Sequence, residues 1–381
     1  MVEGLKKAVT LDRKRGKKQP LYQQVCSEVS KLIAGQNLQG GYSLPSISAL
    51  AKMLKINYRT AKLAYEMLAK EDVVTYIPNK GAVVKNNKPA ETSKQIHITY
   101  IRPKINSVWV EISSGIERFC TENNIEFSIV DAGGSHEVYL NALQNPIKPE
   151  EGLLVVPYEL PQYKEVIGGR INKGVRIVFI DRELLGIEAS SVSADHFVGV
   201  YNATMHLLQT HKRPVYYFGQ SKSPSSSRNW FEAWKTAMNE YGYHSVDSYV
   251  YNLHAEEATL VTHKWHAIED AAAAAMEFLK SVKEKPFSVF VGGDHIAKGI
   301  YLAAREIEMQ IGRDIFIVGY GNIPMSERFD VPLSSVDQNS ELVGYRSAEL
   351  LYRQLKGELH KNVQIVCPTK LYVRQSSTGT K

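Results

Sequence analysis

The feature that most constrains this chain is a rhythm running from about residue 96 onward, in which short apolar runs alternate with amphipathic helical stretches. "IHITYI", "EFSIVDA", "GLLVVP" and "VRIVFID" are strand-like, and the first helical stretch between them carries Trp109, Ile112, Ile116 and Phe119 in one stripe. The pattern restarts at "DHFVGVYNATMHLLQTH", where Val200, Ala203, Leu207 and Leu208 share a helical face, and continues through "PVYYFG", "SYVYNL", "FSVFVGG" and "IFIVGYG". Further helices are expected near 135–145, 161–172, 228–241, 266–281 and 295–308. Strands that are apolar throughout belong to parallel sheets covered on both faces. The fold class is therefore α/β, and a restart midway through nearly 290 residues predicts two doubly wound lobes instead of one long sheet. A ligand of such a body belongs between the lobes, near the carboxyl ends of the strands.

Charge separates the beginning of the chain from this body. Residues 1–90 hold 16 Lys and Arg against 6 Asp and Glu, and the remainder holds 30 against 34. A basic head on a mildly acidic body is the pattern of a polyanion-binding module joined to something else. Residues 1–18, with "DRKRGKK", read as a basic arm. From Pro20 a helix is expected with Tyr22, Val25, Val29, Leu32 and Ile33 on one side, broken by "QNLQGGYSLP". Ile47, Leu50, Ala51 and Leu54 outline a second short helix. A three-residue connection, Lys55 to Asn57, leads to "NYRTAKLAYEML", with Asn57 placed to cap it and Ala61, Ala64, Tyr65 and Leu68 forming its apolar stripe. Two short helices joined by a tight turn, the second polar and cationic at its start, make a helix-turn-helix. "VVTYIP" and "AVVK" around "NKG" add a hairpin, the wing.

"PLYQQVCSEVSKLIAG", "GGYSLPSISALAKMLKINYRTAKLAYEMLAKEDVV" and "NKGAVV" together resemble the winged-helix head of the GntR family of bacterial transcription regulators, over residues 19–86. The resemblance implies DNA contacts from Ser46 and Ser48 on the first helix of the motif, from Asn57, Tyr58, Arg59, Thr60 and Lys62 on the second, and from Lys80 and Gly81 at the wing. Family members commonly carry arginines where this chain has Ser48 and Tyr58, so its operator preference is expected to differ. Lys62, Lys80 and the arm suit phosphates, whereas Asn57, Tyr58 and Arg59 are better placed to read base edges.

Residues 87–95 read as a polar linker, and 96–381 as the effector-binding and dimerising domain. "FIDRELLGIEASSVSADHFVGVYNATMHLLQTHKRPVYYFG" and the segment from "VFVGGDH" through "SSVDQNSELVGYRSAELLYRQL" resemble the effector domain of LacI-type repressors, itself similar to periplasmic ribose-binding proteins. A GntR-type head on such a body resembles the arabinose-repressor arrangement. The implied first lobe comprises about 96–192 and 338–361, and the second about 193–337 and 362–381. The implied effector, a monosaccharide, needs donors and acceptors for its hydroxyls and an apolar surface for its ring. By the resemblance these come from Val108, Trp109, Asp181, Arg182, Asp294, Asn322 and Gln338, with Arg228 or Trp230 replacing an arginine that relatives carry on a second-lobe helix. Gly293 and Gly321 stand where relatives carry polar residues, which implies a retuned pocket. Arg182 and Arg228 would suit an anion equally well, leaving a phosphorylated or non-sugar metabolite as the alternative.

Other classes fit poorly. The sequence has no G-x-x-x-x-G-K-[ST] loop, G-x-S-x-G turn or H-E-x-x-H helix, so an enzyme is not expected. Cys26, Cys120 and Cys367 lack metal or disulfide spacing and read as buried apolar residues, and His206, His211 and His254 read as surface or capping residues. No metal or cofactor is expected. The longest apolar runs are too short to span a bilayer, and a cytoplasmic location is expected. The partners expected are operator DNA, a small effector and a second copy of the chain. Dimerisation is expected through the stripe containing Trp109 and Ile112 or through the helix near 343–355.

Overall fold

The computed structural model describes residues 20–35, 38, 41–71, 73–77, 81–85, 95–103, 106–145, 147–222, 224–253 and 268–379. The basic arm, Lys80, His254 and all of the expected linker except Gln95 lie outside them. The chain divides into two units, Met1–Lys94 and Gln95–Lys381.

In the first unit, helices α1 (Leu21–Gly35), α2 (Ile47–Leu54) and α3 (Tyr58–Lys70) precede strands β1 (Val74–Ile77) and β2 (Gly81–Val84). The α2–α3 turn is closed by Lys55, which adopts a left-handed conformation and donates its backbone N–H to the Ala51 carbonyl. Val25, Val29, Ile47, Leu50, Ala61, Ala64, Leu68 and Val74 form one core, sealed by the buried Tyr65, whose hydroxyl donates to the Pro45 carbonyl at 2.8 Å. β1 and β2 pair antiparallel, with Ile77 opposite Gly81, and Ser43 bridges to Val83. Apolar periodicity thus folds the head by itself, leaving the start of α3 outside the core.

The second unit contains two six-stranded sheets. The first lobe holds β3 (His97–Arg102), α4 (Ser107–Glu122), β4 (Glu126–Asp131), α5 (His136–Gln144), β5 (Glu151–Val155), α6 (Pro161–Asn172), β6 (Arg176–Ile180) and β7 (Ser190–Ala194). The second holds α7 (His196–His211), β8 (Val215–Gly219), α8 (Ser225–Glu240), β9 (Val250–Asn252), α9 (Glu269–Ser281), β10 (Phe287–Val291), α10 (Asp294–Glu306), β11 (Ile315–Tyr320) and β12 (Ser334–Asp337). The chain then crosses back through α11 (Ser340–Leu355) and β13 (Gln364–Cys367), and forward again to β14 (Lys370–Tyr372) and α12 (Gln375–Thr378). The sheet orders are β13-β7-β6-β5-β3-β4 and β14-β12-β11-β10-β8-β9, all parallel except β12 with β14. Burial of every residue in β10 and of the last four in β5 and β6 explains why these runs are apolar throughout.

The structure corrects the expected organisation in two places. β13 pairs parallel with β7, so the last crossing follows Cys367 and not residue 361; "QIVC" completes the β7 edge, and Pro368, lacking an N–H, cannot extend the ladder. One of the two proposed dimer faces, the stripe containing Trp109 and Ile112, is spent inside the first lobe. Trp109, Ile112, Ile116 and Phe119 of α4 share one core with Val343, Ala348, Leu350 and Leu351 of α11, and the two helices touch through backbone at Gly115 and Gly344. His206 and His211 are half-buried, and their Nε2 atoms lie 2.8 Å from Ser377 Oγ and 2.7 Å from the Ser377 carbonyl, tying down α12. Cys26, Cys120 and Cys367 are free and buried. Among the described residues no helix is long and apolar enough to cross a membrane.

The α4–α11 contact yields a stability prediction. A Cβ at Gly344 would stand 2.0 Å from the Ile112 carbonyl oxygen, whereas one at Gly169 in α6 meets nothing within 4 Å. Gly344→Ala should destabilise by about 1–3 kcal/mol or more, and Gly169→Ala should stabilise by about 0.4–1 kcal/mol; urea unfolding midpoints of the two variants compare them directly.

Candidate functional site

In the head, the start of α3 is the exposed polar surface. Asn57, Tyr58, Arg59 and Lys62 are exposed, and Thr60 is half-buried. Asn57 Oδ1 accepts the Thr60 N–H at 2.7 Å, so its amide is committed to capping and retains only its N–H donors for another partner. Ser46 Oγ accepts the Ala49 N–H at 3.2 Å and caps α2, while Ser48 is exposed. Lys62 Nζ lies 3.6 Å from Glu66 Oε1 in a solvent-exposed pair, an interaction weak enough to be exchanged for a phosphate. Gly81 is needed sterically. It has φ +112°, and a Cβ there would lie 2.8 Å from the Pro45 carbonyl oxygen, so the wing packs backbone to backbone against the start of α2. The start of an α-helix also directs free N–H groups and a positive dipole end outward, which suits a polyanion.

In the second unit, side chains from both lobes meet where the chain crosses between them. Asp181 and Arg182 follow β6, and Asp181 takes the left-handed conformation (φ +65°) that Asp tolerates better than most residues. Asp181 Oδ1 lies 3.1 Å from Nε2 of His196, the buried first residue of α7, and His196 Nδ1 lies 2.7 Å from the Tyr320 hydroxyl at the end of β11. Because a carboxylate only accepts, His196 Nε2 carries the proton toward Asp181. Burial opposes ionisation of Asp181, yet the charge and hydrogen bond of His196, followed by Arg182, hold its carboxyl below the ordinary value. Burial, then the Asp181 charge, raises the Tyr320 hydroxyl well above its usual range. Trp230 packs on Tyr320 with ring centroids 4.5 Å apart.

Arg182 lies among aromatic rings, its guanidinium carbon 5.8 Å from the Trp109 centroid and 5.2 Å from that of Tyr158. Its Nε stands 3.7 Å from Asp181 Oδ2, beyond hydrogen-bonding distance, and both Nε and Nη1 are buried without a hydrogen-bond partner. Beside it, Arg102 at the end of β3 donates to Asp131 at 2.7 Å, and the fully buried Tyr100 hydroxyl has no partner. Burial is the main reason that the Tyr100 hydroxyl titrates well above its usual range, and the charges of Arg102, Asp181 and Arg182 all act on it.

The structure therefore brings Trp109, Asp181, Arg182 and Trp230 together and assigns the other expected effector residues elsewhere. Arg228 is taken by Glu159, in a bidentate pair of 2.8 and 2.7 Å that ties α8 to the loop after β5. A second tie runs from the Glu183 N–H to Ser225 Oγ at 2.9 Å. Asp294 is buried within the second lobe, accepting from Ser326, Ser335 and the Ile323 N–H; burial raises its carboxyl despite these bonds. Asn322 joins Asp337 to Arg374, Gln338 donates to Ser340 Oγ at 3.2 Å, and Val108 packs against the first-lobe core. Tyr100, Arg102, Tyr158 and His196 were missed by sequence reasoning. Arg102 and His196 carried a detectable signal, as polar residues ending an apolar strand and following a capping aspartate.

Two family descriptions match the chain: bacterial regulatory proteins of the gntR family over residues 21–84, and a periplasmic binding protein-like domain over 204–377. The chain thus carries a GntR-type helix-turn-helix followed by a periplasmic-binding-protein-like domain, the pairing of a DNA-binding transcription regulator. It is similar to the HTH-type transcriptional repressor PurR of Vibrio atlanticus (strain LGP32), 23% identical over 293 residues that cover 76% of this chain and 82% of the relative. The fold is that of the transcription regulator CcpA of Lactococcus lactis, with a TM-score of 0.64 at 17% identity over 74% of this chain and 100% of that one. A LacI-family transcriptional regulator from Enterococcus faecium with bound ribose aligns with a TM-score of 0.62 at 21% identity, over 75% and 100%. These homologues are regulators and not enzymes.

The Asp181 environment sets a pH dependence. A carboxyl lowered in the folded state contributes stability that is present above its unfolded value and is lost as pH falls through the lowered one. Asp181→Asn should therefore flatten the acid side of the stability curve, as pH falls below the ordinary aspartate value of about 4, in urea midpoints measured through that range.

Proposed function

We propose that this protein is a repressor whose affinity for operator DNA is set by a small sugar held between the two lobes of its second unit. The observation that carries this reading is the convergence of Trp109, Asp181 and Arg182 from one lobe with His196, Trp230 and Tyr320 from the other. Aromatic faces and charged hydrogen-bonding groups are the pairing that sugar recognition requires. The ribose bound to the Enterococcus faecium regulator supports the same reading. Three strands of chain cross between the lobes, after Ala194, Asp337 and Cys367, so a ligand that draws the lobes together turns them about a defined hinge.

The protein acts as a cytoplasmic homodimer that presents two heads to half-sites about one helical turn apart. A lobe rotation inside each copy changes the spacing of the heads, and ligand and DNA then compete through conformation. Such coupling amounts to about 1–3 kcal/mol and is reciprocal. Arg59 and Tyr58 read bases, with Lys62 on phosphate and Lys80 in the same role at the wing.

Two measurements test this reading. Arg59→Ala should cost roughly 1–3 kcal/mol at one base pair, whereas Lys62→Ala should weaken all DNA binding and reduce the salt slope by about 1; titrations on matched and scrambled duplexes at several salt concentrations separate the two. Operator DNA should change effector affinity by the same factor by which effector changes operator affinity. Equal effector affinity with and without operator would sink the coupling.

A further inference from the structure

Hydrogen-bonding capacity at the lobe junction is lopsided. Among the described residues, seven buried side-chain nitrogen and oxygen atoms have no hydrogen-bond partner, and five of them lie here: Tyr100 Oη, Arg102 Nε, Arg182 Nε and Nη1, and Trp230 Nε1. Four of the five are N–H groups that can only donate, and the fifth is a hydroxyl. The carboxylates nearby are already engaged by protein donors. Asp131 accepts from Arg102 at 2.7 Å and from the Gly133 N–H at 2.9 Å, Asp181 is held by His196 at 3.1 Å, and Glu159 is held by Arg228. In the second lobe, Asp294 accepts three donors and Asn322 Oδ1 accepts from Arg374 at 2.8 Å.

This imbalance selects among ligands. Each hydroxyl of a neutral sugar brings a proton that needs an acceptor, and of the oxygens of Asp131, Glu159 and Asp181 only Asp181 Oδ2 is without a protein donor within hydrogen-bonding distance. A carboxylate or phosphate brings oxygens that accept several N–H groups and requires no acceptor in return. Arginine between two aromatic rings is well suited to such a group, because the rings keep water from the guanidinium and leave its N–H edges for the ligand. Leaving buried donors unmet is costly in the empty protein, so their satisfaction adds to binding.

We propose that the effector is an anionic carbohydrate, a polyhydroxylated ring or chain bearing a carboxylate or phosphate, with its anionic group seated on Arg182 and reaching Arg102 and Tyr100. This rests on the reading of the junction as the effector site and narrows it. The aromatic surfaces of Trp109, Tyr158 and Trp230 receive the carbon skeleton, and the hinge opening of the lobes admits it.

The test is calorimetric titration of the full-length protein with matched sets: glucose, glucuronate and glucose 6-phosphate; galactose and galacturonate; ribose and ribose 5-phosphate; and gluconate beside sorbitol. An anionic member should bind at least about tenfold more tightly than its neutral counterpart, and the uronate and phosphate arms distinguish the two anion sources. Arg182→Gln should weaken that anion by roughly tenfold to a hundredfold. Tyr100→Phe removes a hydroxyl that bonds to nothing in the protein, so it should reduce anion affinity without lowering the melting temperature of the empty protein. Neutral sugars binding as tightly as their anionic counterparts, or anion binding indifferent to both substitutions, would overturn the proposal while leaving the sugar-responsive reading intact. If no member bound or altered operator affinity, both would fall.

Discussion

The interaction on which the second unit turns is the buried relay from Asp181 through His196 to Tyr320, with separations of 3.1 and 2.7 Å. It joins the end of a first-lobe strand to the end of a second-lobe strand through the first residue of the helix that follows a crossing. A buried carboxylate left alone would carry a large desolvation cost, so each member requires the others to stay in register. Any separation of the lobes must loosen this relay together with the Glu159–Arg228 pair and the Glu183–Ser225 bond. The lobes therefore meet through polar contacts of specific geometry.

Under the proposed effector-driven exchange, rigid elements on either side would make the motion a hinge. The α4–α11 pair packs backbone against backbone at Gly115 and Gly344, and α11 begins directly after the crossing that follows β12. Close packing of this kind does not deform gradually, so displacement at the crossing is carried along the helix as a unit. In the head, the buried stripe of α3 fixes the helix while its exposed first turn stays available, and the caps at Ser46 and Asn57 hold both helices of the motif at defined starts. Two jobs are divided along one helix: Tyr65 and Leu68 hold the fold, and Tyr58 and Arg59 face solvent.

Much of the architecture was legible because apolar periodicity reports the average surroundings of a segment. The helix-turn-helix, the two lobes and the cap at Asn57 follow from it. Strand ends such as "IDR" could be recognised as candidate ligand positions because an apolar run stops abruptly at charged residues. The same reasoning did not foresee the protein partners of Arg228 within α8, Asp294 at the start of α10 and Asn322 just after β11. Polarity says that a side chain needs a partner and not which one, and here the partners are Glu159, Ser326 with Ser335, and Arg374 with Asp337. The Trp109 and Ile112 stripe was misjudged as a dimer face for a related reason, since an apolar stripe looks the same whether it meets a second copy or a helix more than 200 residues away in the same chain.

By itself, the sequence determined which segments are helices or strands, that the head is basic, and that the body alternates between the two, because these depend on neighbours three or four positions apart along the chain. Only the tertiary structure decided that Tyr100, Arg102 and Tyr158 join Asp181 and Arg182, that His196 spans the lobes, and that several buried donors at the junction lack a protein partner. Those facts depend on which distant strand ends are brought within a few ångströms of one another, and on whether each buried polar atom finds its partner there, neither of which local pattern records.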